Sequence, residues 1–245
     1  MSQMRTPSPS DTREAAYDVD PAFWREHSQI TLQPVAAPSI LGLYGFAGAT
    51  FIVATNLAGW WGDQTSAQYL FPFAAFFGGM AQFLAGMWAY RARDGLATAM
   101  HGTWGAFWLG YGLLNLLVVV GVVTVPAGAF VALGYWFIVL AAITWAGAAA
   151  ALYVSVGVTT VLTLLAAGCT FAAIGYALDE SWARTTAGWL FICAAIAAWY
   201  VATALMLHGV RGEAVLPVGK RDVVAGSSPG LIQYRAGEPG VRHGQ

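Results

Sequence analysis

Only seven charged residues lie between Ile40 and His208, and each sits in a short gap between long apolar runs: Asp63, Arg91, Arg93, Asp94, Asp179, Glu180 and Arg184. A water-soluble domain keeps charge on the outer face of every element, so this spacing would leave its surface bare. A bilayer accounts for it, because charge at mid-depth is costly and loops are where charge is tolerated. The chain is expected to be an all-α polytopic membrane protein.

Composition agrees, with 58% hydrophobic residues and 9% charged, where soluble domains carry about 25% charge. Mean hydropathy is +0.61. The apolar runs reach roughly 20 residues, and at about 1.5 Å per residue that crosses a hydrocarbon core of about 30 Å. They lack period-2 alternation, which argues for helices over a barrel. The 29 glycines suit membrane helices that approach closely through small residues.

Six spans are predicted: Ile40 to Trp61, Tyr69 to Tyr90, Leu96 to Val123, Ala127 to Leu152, Gly157 to Leu178 and Thr186 to His208. Residues 1–39 read as a polar, disordered cytoplasmic tail, in which Asp20 to His27 could form a turn or two of helix at the membrane surface. Residues 209–245 read as a polar cytoplasmic tail. With six spans both termini share a side with the second and fourth loops. That side holds ten of the eleven basic residues, against Arg184 alone opposite. Nearest the membrane, Arg91, Arg93 and Arg211 outweigh Arg184, so both termini are expected in the cytoplasm of a plasma-membrane protein. Cys169 and Cys193 fall inside spans, leaving no disulfide framework.

No span carries an Asp, Glu, Lys or Arg in its interior. That disfavours a buried carboxylate relay and favours a pathway of hydroxyls, amides and aromatics. It also disfavours an enzyme, since no His/Asp/Glu cluster with catalytic or metal spacing occurs in a span; no metal or cofactor is expected. The interior polar candidates are Thr50, Asn56, Gln82, His101, Thr103, Asn115, Thr144, Thr163 and Thr170. Asn56, Gln82 and Asn115 could equally bond neighbouring helices, and His101 could either handle protons or stand wet near the arginines. Gly42, Gly45 and Gly48 form a smooth strip on the first span. Gly78, Gly79, Ala81, Ala85 and Gly86 form a second patch. Phe46 and Trp104 lie deep, where an aromatic serves as filler or as the constriction of a pore.

Ordered motifs between about Pro38 and Gly219 carry a family resemblance. Ala37-Pro38-Ser39-Ile40-Leu41-Gly42-Leu43 resembles the Asn-Pro-Ala-Pro-Leu-Gly-Leu signature of the acetate uptake transporter family, a group with bacterial and fungal members. Gly78 to Gly86 is similar to its second-helix pattern, and Trp104-Gly105-Ala106-Phe107-Trp108 to its Tyr-Gly-Ser-Phe-Trp. Ala187-Gly188-Trp189 and Val215 to Gly219 resemble its last helix and tail motif. The resemblance implies a six-helix protomer around its own narrow pore, assembled as a homohexamer, carrying acetate and related short monocarboxylates, with protons as a further expected partner and no nucleic acid. It implies a hydrophobic constriction of Phe46, Trp104 and Leu165, with Pro38, Leu41, Gly42 and Leu43 as signature residues. Trp104 stands where the family has Tyr, so the passage should be tighter and exclude succinate, and the indole N–H could bond a carboxylate oxygen. The signature Asn is Ala37 here, and the family glutamate of helix 2 is Ala89. A hexameric channel for small neutral solutes such as urea or short amides is the alternative, favoured by the absence of buried charge.

Overall fold

A computed structural model describes residues 35–63, 66–124 and 129–221. The expected surface turn at Asp20 to His27 lies outside them. Among the described residues six helices are long and apolar enough to cross a membrane. They are α1 (Ser39–Leu57), α2 (Phe71–Arg91), α3 (Gly95–Val119), α4 (Ala129–Ala151), α5 (Val156–Ala177) and α6 (Ser181–Arg211). This is a multi-pass membrane protein, all-α as its charge pattern requires.

The helices form a ring in chain order, closed by α6 against α1. Neighbours pack extensively except α3 and α4, which meet at few places. The close approaches follow the glycines. A Cβ added at Gly86 of α2 would lie 2.6 Å from the Gly102 nitrogen of α3, and one at Gly105 would lie 2.5 Å from the Phe83 nitrogen. Gly79 likewise faces Leu109, and Gly112 faces Ala75. The pairs 86/102, 83/105, 79/109 and 75/112 step in opposite directions by three or four residues, which is the register of two antiparallel helices meeting along one stripe. Within α2, Ala74–Ala81 is wound as a π-helix.

The glycine strip of α1 is occupied from inside the protomer. A Cβ at Gly42 would meet the His101 ring at 2.5 Å, one at Gly45 the Phe77 carbonyl oxygen at 2.5 Å, and one at Gly48 the Phe77 ring. It therefore joins α1 to α2 and α3 and is not free to seat a neighbouring subunit. The outward faces carry Phe73, Phe76, Met80 and Leu84 of α2 and Tyr135, Trp136, Ile138 and Val139 of α4, which only lipid or further protein can cover.

Several ends differ from the expected spans, for local reasons. The first span stops at Leu57, short of Trp61. The chain turns back there: Asn56 Nδ2 donates to the Trp61 and Asp63 carbonyls at 2.8 and 3.1 Å, and Trp61 Nε1 donates to Thr55 Oγ1 at 2.9 Å. The third stops at Val119, followed by Gly121 at φ 73°. The last begins at Ser181 and reaches Arg211, where Gly212 at φ 74° ends it and donates to the His208 carbonyl. A left-handed residue in that place is the common helix stop that glycine supplies. Beyond it, part of the segment expected as tail folds back on α5. The Gly219 and Val218 carbonyls accept from the Val156 and Gly157 nitrogens at 3.0 and 2.9 Å. Tyr200 Oη donates to the Pro217 carbonyl at 2.8 Å. The Val-Leu-Pro-Val-Gly motif thus satisfies open donors at a helix start.

Candidate functional site

A cavity of about 60 Å³ lies inside the ring, against the 10–15 Å³ or so that one water needs. Its walls are Thr50, Ala54 and Leu57 of α1, Trp104, Phe107, Trp108 and Tyr111 of α3, Leu133 and Phe137 of α4, Leu165 and Tyr176 of α5, and Phe191 of α6. Thr50 and Leu57 lie in the second half of α1, Leu133 and Phe137 in the first half of α4, and Tyr176 at the end of α5. The cavity therefore occupies the half of the bundle next to the α1–α2, α3–α4 and α5–α6 connections. It ends near mid-depth, at Trp104 and Leu165.

Phe46, Trp104 and Leu165 are brought together there. All three are almost fully buried. Trp104 and Leu165 line the cavity, and Phe46, one turn before Thr50, meets the Trp104 ring edge-on at 6.2 Å between centroids. The aromatic contacts continue along α3: Trp104 to Phe107 at 5.4 Å, Phe107 to Trp108 at 5.4 Å, and across the loose α3–α4 seam from Phe107 to Phe137 at 5.7 Å. Rings in edge contact fix one another's orientation, which gives this wall of the cavity a defined shape.

One expectation about Trp104 is corrected. Its indole N–H is not open to a carboxylate: it donates to Thr144 Oγ1 at 3.2 Å, and Thr144 in turn donates to the Leu140 carbonyl at 2.6 Å. A buried N–H is paired as a rule, and here the partner comes from α4, across the seam.

The polar candidates divide. Thr50 lines the cavity. Asn56 fastens the loop after its own helix, as described above, and Asn115 Nδ2 bonds the Tyr111 carbonyl of its own helix at 2.9 Å; neither lines the cavity. Gln82 and His101 are buried away from it, towards the Pro38 end of α1. There His101 Nε2 lies 3.3 Å from Ser39 Oγ, while His101 Nδ1 and Gln82 Oε1 are buried without partners. Of the signature residues, Pro38 precedes α1, Leu41 points outward, Leu43 enters the core and Gly42 makes room for His101. Trp108, Tyr111, Phe137, Tyr176 and Phe191 were not singled out from sequence. The spacing Trp104, Phe107, Trp108, Tyr111, one helical face at i, i+3, i+4 and i+7, was the available signal for the α3 wall.

Residues 21–218 match the model of the GPR1/FUN34/yaaH family. The chain belongs to this family. Over 191 residues it is 27% identical to the succinate-acetate/proton symporter SatP of Escherichia coli (strain K12), covering 76% of this chain and 96% of the symporter. The solved structure of the bacterial acetate channel SatP matches with a TM-score of 0.70 at 25% identity, over 76% of this chain and 100% of that one. A 74-residue stretch is 36% identical to the meiotically up-regulated gene 86 protein of Schizosaccharomyces pombe, covering 30% of this chain and 24% of that protein.

Proposed function

We propose that the protein is a plasma-membrane transporter or channel for acetate and related short-chain monocarboxylates, with Phe46, Trp104 and Leu165 as its narrowest point. The observation that carries this reading is the cavity that reaches Trp104 and Leu165 and is lined by no charged side chain among the described residues, in a chain of a family with symporter and channel relatives. The walls offer apolar surface for a short alkyl group and few polar atoms, which suits a solute the size of acetate. Purified protein in proteoliposomes should take up labelled acetate faster than empty liposomes do, and faster still with an imposed inward proton gradient. Acetate flux no greater than in empty liposomes would overturn the reading. Because no lining residue among the described residues is charged, a channel for urea or short amides is the second reading, and labelled urea in the same vesicles tests it.

Orientation and assembly belong to the same proposal. The basic residues support cytoplasmic termini, which turns the cavity toward the outside of the cell. A reporter fused after Gly219 should then stay inside; its appearance outside would reverse the topology. The hexamer rests on the family resemblance, since the glycine strip of α1 is used within the protomer. Native mass spectrometry in mild detergent should give six copies, and a predominant monomer or dimer would refute this.

A further inference from the structure

We propose that the α3–α4 seam is the joint at which the passage widens to let a solute by, and that Thr144 is the residue that holds it shut through Trp104. This rests on the transport reading above and deepens it, by naming the part of the bundle that moves and a positioning residue that governs it.

The first observation is how the seams of the ring are made. At five of them a glycine sets one helix against the backbone of the next. A Cβ at Gly45 of α1 would lie 2.5 Å from the Phe77 carbonyl oxygen of α2, and one at Gly86 of α2 would lie 2.6 Å from the Gly102 nitrogen of α3. One at Gly134 of α4 would run into the Ala177 nitrogen of α5. One at Gly175 of α5 would lie 2.8 Å from the Arg184 nitrogen of α6, and one at Gly188 of α6 would lie 2.6 Å from the Ala58 nitrogen at the end of α1. The α3–α4 seam is built differently. Gly147 of α4 faces the far end of a side chain there: an added Cβ would lie 2.5 Å from Met100 Sδ and 3.0 Å from Met100 Cε. The Trp104–Thr144 hydrogen bond at 3.2 Å and the Phe107–Phe137 ring pair at 5.7 Å, which also cross this seam, are again contacts between side chains. Small residues let backbones approach closely, and backbones in contact part only when whole helices move. A seam of side chains gives way through rotamer changes, and the unbranched methionine adapts readily.

The second observation is what this seam flanks. Trp104 and Phe107 on its α3 side and Leu133 and Phe137 on its α4 side all line the cavity. On the transport reading a solute has to pass Trp104, whose side chain is 3% exposed. The indole is not free to swing aside alone. Phe46 meets it edge-on at 6.2 Å, Phe107 does so at 5.4 Å, and Thr144 holds its N–H. Parting α3 from α4 carries Trp104 and Phe107 away from Thr144 and Phe137, while the glycine stripe keeps α3 on α2. Thr144 stays satisfied in the parted state, because its hydroxyl donates to the Leu140 carbonyl of its own helix at 2.6 Å. Opening therefore gives up one hydrogen bond at the seam, which makes that bond the latch.

The test uses the full chain in proteoliposomes, with labelled acetate and labelled succinate and the flux of empty liposomes subtracted. Thr144→Val keeps the shape of the side chain and removes the acceptor. It should raise acetate flux about 3- to 10-fold, the weight of one hydrogen bond in a closed-to-open equilibrium, and lower the acetate-to-succinate ratio. Thr144→Ser keeps the hydroxyl and should match the wild type. Locking the seam is the converse experiment. A Cβ at Gly147 would lie 3.4 Å from Met100 Cγ, and a disulfide spans about 3.5–4.5 Å between Cβ atoms, so copper phenanthroline can bridge a Met100→Cys, Gly147→Cys pair. The bridged protein should lose most of its acetate flux and regain it in dithiothreitol. Each single-cysteine variant controls for pairing with the native Cys169 or Cys193. Acetate flux at or below the wild-type level in folded Thr144→Val, or a bridged pair as fast as its reduced form, would overturn the inference and leave the transport reading standing. Should the pair fail to insert or to bridge, Thr144→Val and Thr144→Ser decide it. Absence of any acetate flux through the wild-type protein would sink the transport reading itself, and this one with it.

Discussion

Gly105→Ala should leave little folded protein, while Gly110→Ala, five residues along the same helix, should be silent or mildly stabilising. The new methyl at 105 would stand 2.5 Å from the Phe83 nitrogen and 2.7 Å from its Cα. These are backbone atoms of α2, so no rotamer change relieves the clash; the two helices must separate along the stripe that also contains the 79/109 and 86/102 contacts. Overpacking costs about 1–3 kcal/mol where side chains can yield, and more is expected where they cannot. Trp104, one residue earlier, would be carried away from Phe46 and Thr144. At Gly110 nothing lies within 4 Å of the added carbon, and alanine gains up to about 1 kcal/mol in helix propensity. Thermal unfolding of the two variants in one detergent is the measurement. Equal melting temperatures would show that the α2–α3 approach is looser than the structure has it.

The spans were legible because a bilayer punishes charge at depth: the seven charges fall in three gaps, and the uncharged run from Leu96 to Leu178 is divided into three spans by its length, by Pro126 and by the short stretch Tyr153 to Val156. Helix ends were less legible. Trp60 and Trp61 extend the first apolar run, yet the helix stops at Leu57, because apolarity does not report where the backbone reverses. The use of the α1 glycines was ambiguous from spacing alone. A strip of small residues says that something approaches, and only the fold says that it is Phe77 and His101 of the same chain. At the site, Phe46, Trp104 and Leu165 were singled out through motif resemblance, and the fold does bring them together. The Trp104–Thr144 bond links residues forty positions apart on α3 and α4. Neither helix carries a charge or motif that pairs them. Asn56 and Asn115 left two readings open, pore group or bond to a neighbouring helix, and the structure shows Asn56 bonding carbonyls of the next loop and Asn115 a carbonyl of its own helix.

Trp104→Ala should lower the acetate-to-succinate flux ratio by about tenfold or more, the scale on which a pocket tells apart solutes differing by a few heavy atoms. Trp104 and Leu165 both line the cavity and Phe46 meets the indole edge-on, so on the reading proposed above removal of the indole widens the constriction. Stability has to be separated from selectivity. Replacing a buried tryptophan with alanine costs about 3–5 kcal/mol, so flux must be compared only for protein shown to be folded and inserted. Trp104→Phe divides the two contributions of the indole. It keeps an aromatic plug but removes the N–H, and Thr144 remains bonded through its own hydroxyl to the Leu140 carbonyl. If size sets the limit, Trp104→Phe should resemble the wild type in its preference for acetate. If the bond across the α3–α4 seam is what holds the passage narrow, Trp104→Phe should behave like Trp104→Ala. If Trp104 only fills space, both variants lose stability and the ratio of the two acids stays where it was. An unchanged ratio in folded Trp104→Ala would therefore remove Trp104 from the constriction and leave the limit to Phe46 and Leu165.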